Sequence, residues 1–91
     1  MMEHLASSRN GSREAAEHLA LLTRITSDPD TLHGKPRIKG TRIPVYLIVQ
    51  LVAAGENVQT ILEDYPSLTA EDIRAALQYA ARLAEFEAYA I

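Results

Sequence analysis

Apolar residues are spaced weakly over the first quarter of the chain and strongly over the rest. In "REAAEHLALL", Ala15, Ala16, Leu19, Ala20 and Leu22 give an accessory helix a modest face, with Ser12 as its cap, after the turn-forming run "SSRNGS" at 7–12. A short strand is predicted over Arg24 to Thr26, then a turn-rich connection built on Asp28-Pro29-Asp30 and His33-Gly34. Alternation in "PRIKGTRIPV" predicts a ribbon. With Gly40-Thr41 as a two-residue type II′ loop, Lys39 lies opposite Arg42 and Ile38 opposite Ile43. Both isoleucines then face the core, with Arg37, Lys39 and Arg42 on the other side.

From Val45 the period becomes helical. Val45, Leu47, Ile48, Val49, Leu51 and Val52 make a helix apolar nearly all round, with Gly55 where a left-handed cap belongs. Asn57 caps a second helix carrying Val58, Ile61, Leu62 and Tyr65, stopped by Pro66. Thr69 and Asp72 form a shortened capping box for a third, and the tight turn "YPSL" between the last two gives helix-turn-helix spacing. That third helix has two stripes: Ile73, Leu77, Ala80, Ala84 and Ala88, and then Tyr79, Leu83, Phe86 and Ala90. One small core needs one stripe, so Tyr79, Leu83 and Phe86 are assigned to a partner interface; the competing reading folds the N-terminal helix over them. The predicted fold is mainly α, a three-helix helix-turn-helix-like bundle with a short N-terminal β-hairpin. Residues 1–23 form an extension with the accessory helix, and 24–91 the domain.

Composition limits what such a fold can be. With 91 residues, 47% of them hydrophobic, there is material for one core only. There is no cysteine, hence no disulfide framework and no thiolate metal site. The strongly apolar run Pro44 to Gly55 is shorter than the ~20 residues that span a bilayer, and the N-terminus lacks the basic-then-apolar order of a secretory leader. The expected setting is cytoplasmic, without membrane contact. Charge adds an asymmetry hidden in the net value of -3: residues 24–46 hold five Lys or Arg against two Asp, while residues 56–91 hold seven Asp or Glu against two Arg. Lys35, Arg37, Lys39 and Arg42 are thus the candidate phosphate or DNA contacts, because like charges facing each other on a ribbon destabilise it unless an anion lies over them.

Catalytic chemistry finds little footing. His4, His18 and His33 are dispersed and match no metal-ligand spacing, and "HGKPRIKGTR" lacks the order of a phosphate-binding loop. No nucleophile stands with His33, which reads as a turn residue, as do Asp28 and Asp30. No cofactor, no metal and no enzymatic activity are expected. Two classes remain: a dimeric DNA-binding protein presenting paired basic ribbons, or a protein-interaction module that forms homo-oligomers and docks its ribbon on carboxylates. Salt-dependent DNA binding separates them.

Arg24 to Leu77, with "HGKPRIKGTRIPV", "LVAAG" and "ILEDYPSLTAEDIRAAL", resembles the bacterial domain-of-unknown-function family 433, a group of small antitoxin-like proteins. The resemblance implies a helix-turn-helix-like trihelical fold and an antitoxin role in a type II toxin-antitoxin system. It also implies a PIN-like ribonuclease toxin as partner and double-stranded DNA at the operon's own promoter as a further ligand. One feature opposes simple helix-turn-helix reading of DNA. The third helix opens with Glu71 and Asp72, which repel phosphates, so anion contact is assigned to the ribbon and Arg74 is read as a partner of Glu71 or Asp72.

Overall fold

A computed structural model of the chain describes residues 16, 17 and 19–90, with side chains as far as Glu85. The "SSRNGS" run, the Ser12 cap, His4, His18 and the Phe86 side chain lie outside the described residues. A helical segment over 19–22 leads into strand β1 (Ile25–Thr26), which pairs antiparallel with β2 (Arg37–Ile38), Ile25 opposite Ile38 and Thr26 opposite Arg37. Helices α1 (Val45–Ala53), α2 (Val58–Asp64) and α3 (Ala70–Ala90) follow. The predicted fold class is therefore the observed one, a helical bundle with a short hairpin ahead of it.

The helix ends form as their sequence dictates. At the close of α1 the Gly55 amide donates to the Val52 carbonyl (3.0 Å) and that of Glu56 to Leu51 (3.1 Å), with Gly55 at φ +93; this is a Schellman cap, and the left-handed residue is the glycine. Asn57 Oδ1 accepts from the Thr60 amide at 2.9 Å, which stops α2 from fraying at its start. Tyr65 to Leu68 turn tightly, the Leu68 amide donating to Tyr65, and Thr69 and Asp72 exchange the two bonds of a capping box at 3.0 and 3.2 Å. Asn57→Ala is expected to cost about 1 kcal/mol, checked by chemical denaturation.

The core is made by Ile38, Val45, Ile48, Ile61, Leu68, Ile73 and Ala76, so one strand and all three helices contribute to it. Helix α1 packs chiefly against α3, where the small side chains of Ala75 and Ala76, both wholly buried, let the two backbones approach. The buried face of α3 runs through 72, 73, 75 and 76 and fades through Tyr79 and Ala80. Leu77, expected in the core stripe, is exposed instead. Helix α1 is less enclosed than its composition suggests: Val45 and Ile48 are buried, but Tyr46 is 51% exposed.

The ribbon also differs from expectation in its turn. The Thr41 amide and hydroxyl both donate to the Ile38 carbonyl (3.0 and 2.8 Å) and Gly40 has φ +82, so the turn is centred on Lys39-Gly40, one residue earlier than predicted. Thr41 decides this: its hydroxyl oxygen also accepts from the Ile43 amide at 3.0 Å, sealing a four-residue loop. The Ile38 amide still donates to the Ile43 carbonyl, and Arg37 bridges to Pro44, so the base of the ribbon keeps the predicted register. Lys39 and Arg42 are no longer a directly opposed cross-strand pair.

Candidate interaction surface

Each cation of the ribbon has a distinct setting. Arg37, 17% exposed at its side chain, donates from Nη2 to Asp28 Oδ2 at 3.1 Å, while its Nε and Nη1 are buried without an acceptor among the described residues. Asp28 is also a turn residue, its Oδ1 accepting from the Asp30 amide at 3.1 Å. Part of the positive charge in this segment is therefore answered from within the chain. Lys39 and Arg42 are exposed, and Lys35 extends its Nζ over the Tyr46 ring, 5.3 Å from the centroid. Three side chains thus remain as outward cations, Lys35, Lys39 and Arg42.

The connection from β1 to β2 holds its shape by unusual backbone. Leu32, His33 and Gly34 have φ of +53, +55 and +79, a single left-handed turn closed by the Gly34 amide to Thr31 (3.0 Å) and the Lys35 amide to Leu32 (3.1 Å). For Leu32 and His33 this conformation costs roughly 1 kcal/mol or more each. It delivers Lys35 and Pro36 to the surface beside α1, and His33 stands exposed in the turn.

A second arginine was not legible as a partner. Arg24 Nη1 lies 3.1 Å from Asp72 Oδ1, and Asp72 is only 6% exposed. The carboxylate thus caps α3 with one oxygen and ties down the start of β1 with the other. No local pattern links positions 24 and 72; only the folded chain brings them together. Arg74, expected beside Glu71 or Asp72, is exposed, and the ion-pair partner of Asp72 among the described residues is Arg24. With Asp72 committed to the cap, the start of α3 is built for structure.

Tyr79 and Leu83, the described members of the second stripe, stand between two shallow clefts. One, of about 370 Å³, is walled by Pro36, Val45, Tyr46, Val49 and Leu83, with Lys35 at its rim. Its walls are almost wholly apolar. The other is bordered by Leu22, Ile25 and Arg82. The end of the leading helical segment therefore flanks the stripe on one side, with Leu21 buried, but Leu83 stays 50% exposed and Tyr46 51%. Among the described residues no cluster of three or more His, Asp or Glu could hold a metal ion, and no helix is long and apolar enough to cross a membrane.

Residues 25–80 match the model of the family described as Protein of unknown function (DUF433). The chain belongs to this family. The hairpin, α1, α2 and the first half of α3 make up the DUF433 segment, whose boundary at Ile25 coincides with the start of β1. The chain is similar to a crystallised DUF433 member from Anabaena variabilis, at 35% identity with a TM-score of 0.64, over 81% of this chain and 74% of that one. It is also 49% identical over 71 residues to the uncharacterized protein y4eO of Sinorhizobium fredii, which covers 77% of this chain. The matched region spans about a third, 32%, of that relative's length.

Proposed function

We propose that the chain is an antitoxin-like protein-binding module that captures a ribonuclease toxin on the apolar cleft between α1 and α3 and contacts promoter phosphates through Lys35, Lys39 and Arg42. The observation that carries this is the cleft itself. Tyr46 and Leu83 are half exposed on a surface whose neighbours Val45, Val49 and Pro36 are also apolar, which a chain working alone has no reason to maintain. An exposed aromatic in the wall of such a surface is the usual kind of energetic anchor of an interface. The toxin setting comes from the family resemblance, and the cationic edge beside the cleft suits an operon that regulates itself.

Co-expression with the product of the neighbouring reading frame is the test. A stable complex is expected, weakened about 30-fold by Tyr46→Ala, the loss of one aromatic anchor worth about 2 kcal/mol. Absence of any complex removes the toxin reading. DNA contact has its own signature. If two copies each use Lys35, Lys39 and Arg42 on phosphates, the logarithm of affinity should fall with the logarithm of salt at a slope of roughly -5, and Lys39→Ala should flatten it without changing sequence preference.

A second reading is favoured by one observation: Arg24 and Arg37 each already take an aspartate. Cations of this domain are thus suited to carboxylates, and the ribbon could dock on an acidic protein surface in place of DNA. Loss of a protein contact on Lys39→Ala and Arg42→Ala, with DNA affinity unchanged, would establish that alternative.

A further inference from the structure

Helix α3 is longer than the body it serves. Twenty-one residues extend for about 31 Å, yet its burial ends with the partly covered Tyr79 and Ala80, and positions 81 to 85 are all exposed. The spacing from Tyr79, which packs partly against the chain's own core, into this uncovered length is specific. Positions 79, 83, 86 and 90 are Tyr, Leu, Phe and Ala, separated by four, three and four residues, the seam spacing of a coiled coil. With 83 and 90 as the a positions and 79 and 86 as the d positions, Arg82 falls at g and Glu87 at the following e.

We infer that the distal half of α3 pairs in parallel with the same half-helix of a second copy. Charge decides both the occupant and the direction. In a parallel pair each g residue faces the e residue five positions on in its partner, so Arg82 meets Glu87 of the other copy, twice over by symmetry. An antiparallel pair sets Arg82 near position 89, a tyrosine, and Glu87 near position 80, an alanine, with no complementary charge at either. Glu85, at c, stays in water. The flank taken by Leu22 does not compete, because Leu83 remains half exposed beside it. Parallel pairing puts both bodies at one end of a short coiled stem. It does not depend on the toxin reading: pairing covers Leu83 at one edge of the cleft and leaves Pro36, Val45, Tyr46 and Val49 as its open part.

Absence of native cysteine makes the geometry testable with single substitutions. In a parallel pair every seam position faces its own copy, so Leu83→Cys and Ala90→Cys should each give disulfide-linked dimers under mild oxidation, while Ala84→Cys, outside the seam, should not. Cross-linking at 83 alone, or equally at 84, overturns the parallel seam. Sedimentation of the unmodified chain at high micromolar concentration should show dimer; a monomer there overturns the inference outright. Arg82→Glu, on an exposed position that leaves the helical circular dichroism unchanged, should weaken self-association about tenfold, and Arg82→Glu with Glu87→Arg should restore it. Failure of the double swap to restore association rejects the charge pairing. None of these outcomes depends on toxin binding, which co-expression measures separately.

Discussion

Ile38→Lys is expected to leave the chain unfolded. Ile38 is 1% exposed at the centre of the core, opposite Ile25 across the hairpin and beside the helices. An ammonium placed there has no carboxylate to meet, and an unpaired buried charge costs several kcal/mol, comparable with the whole stability of a domain this small. Circular dichroism should show loss of helix at room temperature. The adjacent Lys39→Ala provides the control, since Lys39 is exposed and its backbone amide, which donates to Arg24 at 2.8 Å, is retained. A folded Ile38→Lys protein would mean that this strand can detach from the bundle.

The second large effect is expected at Ile48, which has no exposed surface and lies on the α1 face turned to α3. Ile48→Ala should cost about 3 kcal/mol through lost burial and the cavity left behind, lowering the melting temperature by roughly 10 to 25 °C. Tyr46→Ala, two residues earlier on the exposed side of the same helix, should change stability far less while weakening the partner complex. The pair separates what α1 does for the fold from what it offers outward. Equal loss of stability in both variants would mean that the Tyr46 ring belongs to the core.

Where residues act locally, the structure was legible beforehand. Asn57, Gly55 and the Thr69 and Asp72 box each have a role set by backbone geometry within a few residues, and each appears where their sequence placed it. The paired isoleucines of the ribbon were readable for the same reason, because alternation fixes their face. What escaped was non-local or depended on fine competition. The Lys39-Gly40 turn wins over Gly40-Thr41 because the Thr41 side chain bonds back to Ile38, a preference that hairpin statistics do not contain. Arg24 pairs with Asp72 across 48 positions, and Arg37 is drawn to Asp28, so two charges that read as free are internal struts. Of the candidate site, the exposure of Leu83 was foreseeable from a surplus stripe. The contribution of Tyr46 and Val49 was not, since Val49 reads as one more core position of α1 and Tyr46 as an aromatic at the core's edge.

The strut between Arg24 and Asp72 has a topological consequence. Together with the cleft shared by Ile25, Tyr79 and Leu83, it brings the two ends of the family segment side by side, although the polypeptide between them makes a full circuit of the core. A domain whose ends meet can be threaded into a longer polypeptide as a loop-like insert, or cut elsewhere and rejoined, with little entropic cost of closure. A permuted chain that begins in the exposed turn at Glu56 and joins the end of α3 to residue 24 by a flexible linker long enough to return along positions 81–90, about 15 Å, should keep the same core. Such a plug-in shape is compatible with a relative in which the matching region is only a third of the protein.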